Sequence, residues 1–179
     1  MHSKSRYKVL SFTLLILAII YALIRANTVF YVHDELVSKW AYMIDWNFLP
    51  YQGYIDANNH FLNSLLGGAF IRLFNSDHIV VVRLSSLVGL IIYGLAAFSL
   101  KRHFKSPLAH LSVIAALLFS PYLIEFFSLA RGYGLSWALL LLAISLQMDY
   151  FRQANLWKLL LSALAFLLAS YANLALISL

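Results

Sequence analysis

Apolar runs at residues 9–24, 79–100, 108–127, 133–148 and 156–179 recur along the chain, each near the ~20 residues a helix needs to cross a membrane. The later runs are joined by short connections, but the first two are separated by a long stretch, 25–78, rich in Trp and Tyr. Inside that stretch Leu36, Val37, Trp40, Ala41 and Ile44 recur at helical spacing beyond Asp34, and a second apolar segment, 61–74, is too short to cross comfortably. Trp40, Tyr42, Trp46, Tyr51 and Tyr54 are rings of the kind that settle at head-group depth. The pattern therefore predicts an all-α protein, a multi-pass transmembrane helical bundle with two amphipathic surface helices in its first external loop, separated by a turn at 50–53. Ser106 and Pro107 predict a capped start to the third span, and Pro121 predicts a kink within it.

Composition agrees with a membrane class: 63% of the residues are apolar and 11% charged. The formal net charge of +6 would suggest nucleic acid in a soluble protein, yet here the basic residues flank apolar runs. Lys4, Arg6 and Lys8, then Lys101, Arg102 and Lys105, then Arg152 and Lys158 all fall on one side if the spans alternate. By the positive-inside rule that side is cytoplasmic, and the charge serves topology and contact with membrane lipids, with no role in nucleic-acid binding. Asp34, Glu35, Asp45, Asp56, Asp77 and Glu125 then lie on the opposite side, leaving Asp149 within. The first run lacks a good small-residue cleavage site and reads as a retained span. No cysteine is present, which removes disulfides and thiolate metal sites.

Candidate chemistry gathers in the external loop. Asp34 and Glu35 are adjacent carboxylates just past the first span, suited to general-base work or to holding a divalent metal, although Asp34 also reads as a helix N-cap and Glu35 as a first-turn acid. His33 precedes them. Residues 54–60, Tyr-Ile-Asp-Ala-Asn-Asn-His, offer Asp56, Asn59 and His60 as groups that can hold sugar hydroxyls; they also read as loop caps and an interfacial histidine. Arg131 can grip a phosphate through its planar fork of donors, or pair with Glu125 across the turn after the third span.

The order of these features resembles the amino-terminal part of a GT-C membrane glycosyltransferase, in the branch of protein O-mannosyltransferases and lipid A aminoarabinose transferases. The likeness is carried by a first span, His33-Asp34-Glu35 directly beyond it, an aromatic surface helix, the 54–60 cluster before a second surface helix, and Ala130-Arg131-Gly132-Tyr133 after the third span. Relatives commonly carry prolines after the histidine segment, where this chain has Phe61 and Leu62. The resemblance implies transfer of a sugar, with inversion, from a polyprenyl-phosphate-linked donor to a protein, lipid or glycan acceptor on the non-cytoplasmic face of a bacterial inner (plasma) membrane. Asp34 would be the general base, Glu35 its neighbour in the acid pair, and Asp56, Asn59, His60 and Arg131 substrate-binding groups. It further implies that residues 1–179 are a carboxy-terminally truncated piece of a longer transmembrane domain. From a different class, a small multi-pass transporter or lipid-carrier flippase subunit would place polar groups along a pathway through the span centres. An accessory protein would instead use its aromatic surface helices to hold a partner.

Overall fold

In a computed structural model, residues 2–47, 49, 59–174 and 176 are described. Among these the regular structure is helical throughout, in the order α1 (His2–Thr28), α2 (His33–Ser38), a π-helical turn (Lys39–Ile44), α3 (Phe61–Phe74), α4 (Ile79–Val82), α5 (Leu84–Ser99), a 3-10 turn (Leu100–His103), α6 (Pro107–Leu118), α7 (Pro121–Phe127), α8 (Tyr133–Gln153) and α9 (Leu156–Ala172). Three helical segments are long and apolar enough to cross a membrane: Arg6–Thr28, Leu84–His103 and Tyr133–Gln153. A fourth exists if α6 and α7, bent by 59°, count as one. The bend falls where Pro121 opens α7: proline cannot donate a backbone hydrogen bond to the preceding turn, and Ser120 before it is extended. Ser106 caps α6, its hydroxyl accepting from the Ala109 N–H, with Pro107 at the first helical position.

The expectation of a fifth full span over 156–179 is narrowed, since α9 has 17 residues and ends at Ala172. At 1.5 Å per residue it is about 26 Å long, short of a ~30 Å hydrocarbon core. The expected run from 79 is likewise divided, α4 giving way to α5 at Arg83.

Helix α8 packs against both α5 and α9, while α1 lies against α5 and α6. Ala18, Ala22 and Ala26, four residues apart on α1, are completely buried against a core that includes Leu90, Tyr93 and Phe127. Small side chains there let backbones approach closely, the packing mode favoured where lipid surrounds a bundle. On other faces of the helices Ile16, Leu17, Ile20 and Ile24 of α1 and Leu160, Leu164 and Phe166 of α9 are exposed. Apolar exposure on this scale needs an apolar surrounding.

The apolar set of the first surface helix is not turned inward as a unit: Leu36 and Trp40 are exposed and Val37, Ala41 and Ile44 half-buried, whereas Glu35, Ser38, Lys39, Tyr42 and Met43 are buried. Nor does Asp34 cap it: Val32 is the N-cap, and its N–H donates to Glu35 Oε2 at 3.2 Å. The reason is a polar interior. Arg83 is fully buried, with Nε donating to Glu35 Oε1 at 2.9 Å and Nη2 to Glu35 Oε2 at 2.5 Å. Arg83 Nη1 donates to the Ala26 and Val29 carbonyls and Nη2 to that of Phe30. One guanidinium thus fastens the end of α1, and through Glu35 the start of α2, to the α4–α5 junction. The second surface helix, α3, sits on the π-helical turn. Gly67 and Gly68 leave room for Met43 and Trp46, while Arg72 donates to the carbonyls of Met43 (3.0 Å) and Ile44 (3.2 Å) that end the turn.

Removing one partner of a buried pair leaves the other charge uncompensated, at a cost of about 3–5 kcal/mol. Glu35→Gln, nearly isosteric, is therefore expected to lower the thermal unfolding midpoint of the detergent-solubilised protein sharply. A midpoint equal to the parent's would show that the pair does not hold these elements together.

Candidate functional site

The site is organised by the loop between α7 and α8. Three buried side chains from three elements grip its backbone: Glu35 Oε1 accepts from the Ala130 N–H at 2.6 Å, Asn63 Nδ2 of α3 donates to the Ala130 carbonyl at 3.1 Å, and Ser86 Oγ of α5 donates to the Leu129 carbonyl at 2.6 Å. Ser85 Oγ in turn donates to Asn63 Oδ1 at 2.6 Å, so both ends of that amide are used. Gly132 closes the loop with φ of 74°. A Cβ there would collide with the Ala172 carbonyl and the His60 ring, so both the backbone angle and the close approach require glycine.

The residue so positioned is Arg131. Its guanidinium forms an ion pair with the Asp34 carboxylate, and the two side chains are 30% and 31% exposed, within reach of a ligand. Tyr133 lies beneath the guanidinium, 5.3 Å from ring centroid to Cζ, and meets the His60 ring edge-on at 5.3 Å. Arg131 Nε is buried with no hydrogen-bond partner among the described residues. His60 is itself buried, and that burial, reinforced by the nearby positive charge of Arg131 against a smaller opposing effect of Asp34, holds its pKa down to about 4. At neutral pH it is an uncharged hydrogen-bonding ring beside a charged pair.

The two members of the acid pair have different situations. Asp34 is accessible and shares its charge with Arg131, whereas Glu35 is sealed from solvent and engaged by Arg83 and the Ala130 amide. Each carboxylate has its own guanidinium, and Glu35 fixes the loop residue immediately before Arg131. Among the described residues no group of three or more His, Cys, Asp or Glu side chains is placed to hold a metal ion. Asn59 stands at the entrance to α3, with its Oδ1 3.5 Å from Ser64 Oγ, and Asp56 lies outside the described residues. Glu125 pairs with Arg25 at 2.6 Å, leaving Arg131 to Asp34. His33 is exposed, 3.8 Å from Asp34.

Sequence reasoning passed over Arg83, Asn63, Ser85 and Ser86. The signal was present, since an arginine four residues into an apolar run, followed by two serines, is costly unless it faces a partner.

The depressed pKa of His60 makes stability depend on pH. An unfolded histidine binds a proton near pH 6.5 and the folded one only near pH 4, so its stabilising share is complete above about pH 6.5. That share falls as pH drops through the window between those values, by up to about 1.4 kcal/mol per pH unit, and levels off below. Unfolding midpoints measured from pH 7.5 to 4 should decline more steeply for the parent than for His60→Gln; parallel curves would refute the assignment. Against known proteins the chain stands on its own geometry: no family model, curated protein or solved structure matches it.

Proposed function

We propose that the chain belongs to a multi-pass membrane glycosyltransferase of the GT-C type, working on the non-cytoplasmic face of a bacterial inner (plasma) membrane with a polyprenyl-phosphate-linked sugar as donor. The observation that carries this reading is the accessible Asp34–Arg131 ion pair, a candidate base and a candidate phosphate ligand already in contact at one end of the bundle. At the opposite end Arg102, His103 and Lys158 converge on Asp149, in keeping with a basic cytoplasmic side. Polar groups strung through the span centres, as a transporter or flippase would use, are not what supports the reading; the accessible pair is terminal.

The chemistry follows from the pairing. A carboxylate held by a guanidinium has its oxygens engaged, and an arriving phosphate competes for the same guanidinium. As the donor's phosphate draws Arg131 towards itself, Asp34 is released to accept the proton of the acceptor hydroxyl. The acceptor oxygen forms its bond to the anomeric carbon from the face opposite the lipid phosphate. The bond between that carbon and the phosphate oxygen breaks, its electron pair leaving with the phosphate, whose charge Arg131 stabilises. The sugar centre inverts. His60, neutral, and Asn59 at the entrance to α3 contact sugar hydroxyls, and the acceptor is a protein, lipid or glycan hydroxyl.

Asp34→Asn keeps size and shape but cannot take the proton, so transfer of labelled sugar from a polyprenyl-phosphate donor should fall on the order of a hundredfold to ten-thousandfold at matched protein levels. Near-normal turnover would remove Asp34 as the base. The orientation is tested separately, by placing single cysteines at positions 34 and 131 and at 101 and 152 and labelling intact cells with an impermeant reagent. Labelling at 34 and 131 alone is expected. The reverse pattern would overturn the proposal.

A further inference from the structure

At the end of the bundle away from Asp34 a cavity of about 640 Å³ opens between the start of α1, the end of α5 with its 3-10 turn, and the start of α6. Twenty residues of α1 separate Lys8 on its wall from Thr28, about 30 Å of helix, so it cannot be part of the Asp34 site. Lys8, Lys101 and Lys105 line it. The acid near this end is fully subscribed elsewhere: Asp149 takes Arg102 at 2.6 Å, Lys158 at 3.2 Å and His103 at 3.2 Å. Among the described residues none of the three cavity lysines has a carboxylate partner.

A second observation is independent of the lysines. His110 of α6 lines the same cavity, is only 6% exposed, and its Nε2 is buried without a hydrogen-bond partner. Buried polar atoms of native proteins are nearly always satisfied, so an orphan beside a cationic cavity signals a missing partner. Phe12, Phe98, Phe104 and Pro107 make much of the remaining wall apolar, with the hydroxyls of Ser11 and Ser106 among them. Cations at the rim over an aromatic wall, placed where the apolar runs of α1 and α5 end, match an amphipathic anion at head-group depth. We propose that this cavity binds the phosphate of one anionic phospholipid, the lysines meeting its charge and His110 a polar group of its head group. The proposal rests on the membrane-spanning part of the reading above and not on sugar transfer.

The test is a titration of the purified, detergent-solubilised chain with phosphatidylglycerol and, separately, phosphatidylcholine, read by native mass spectrometry. One saturable phosphatidylglycerol is expected, bound at least tenfold more tightly than phosphatidylcholine. Lys8→Gln, Lys101→Gln and Lys105→Gln should each weaken it about fivefold, the effect of one basic residue on an anionic lipid, and the triple variant on the order of a hundredfold. Arg6→Gln, which removes the same charge from α1 outside the cavity, should change it less than twofold. His110→Phe keeps the ring volume and removes the orphaned nitrogen; it should weaken phosphatidylglycerol binding. Equal losses in Arg6→Gln and Lys8→Gln, or no saturable phosphatidylglycerol, would overturn the site. Displacement of the lipid by millimolar glycerol 3-phosphate would overturn the lipid assignment in favour of a soluble phosphate ester. No arm depends on catalysis, and a chain that does not insert as proposed is recognised first by its cysteine-labelling pattern.

Discussion

The fully buried ion pair of Glu35 and Arg83 is the interaction on which the rest of the structure depends. Arg83 offers five N–H donors in a fixed fork, and all of the contacts it makes are to the end of α1, the segment after it, or Glu35. Glu35 uses its remaining capacity on the Val32 and Ala130 amides. Two desolvated charges are tolerable only when their hydrogen-bonding capacity is spent in this way. The return is geometric, since three segments distant in sequence, 26–35, the α4–α5 junction and the α7–α8 loop, acquire one common point.

From that point the accessible chemistry is built outward. Asp34 is the neighbour of Glu35, and Arg131 the neighbour of Ala130, so two accessible residues are each fixed through the residue next to them. Asn63 and Ser86 hold the same loop from α3 and α5, and Gly132 lets it pass close to His60 and to the end of α9. The accessible pair is thus supported by atoms that never touch it, the arrangement that preorganised sites require.

How much of this could be read beforehand differed by element. Residues 61–74 were legible as a helix because their apolar run begins and ends within one short segment, and Pro121 announced its bend because proline's lost donor acts locally. Periodicity over 36–44 reports which residues share a side, not which side is inward; with Glu35 and Arg83 claiming the interior, Leu36 and Trp40 are left outside. Asp34 and Arg131 stood out as isolated charges, but their partnership, 97 positions apart by their numbers, has no local signature. The different surroundings of the two adjacent carboxylates were likewise hidden, because they depend on Arg83, which an apolar-run reading absorbs into a span.

The π-helical turn at Lys39–Ile44 has a consequence for how this region can change. A π turn holds one residue more than the α-helix it interrupts, shown here by the Asn47 N–H reaching back five residues to the Tyr42 carbonyl. Loss of a single residue between 39 and 44 would let the segment relax into ordinary α-helix while the chain beyond it keeps nearly the same facing, because the wider turn winds its extra residue into almost the same rotation. The seat on which α3 rests, where Gly67 admits Met43 and Arg72 reaches the carbonyls that end the turn, would then be offered by ordinary helix in nearly the same place. The turn is therefore a point at which this segment can gain or lose one residue without forcing α3 to dock in another way.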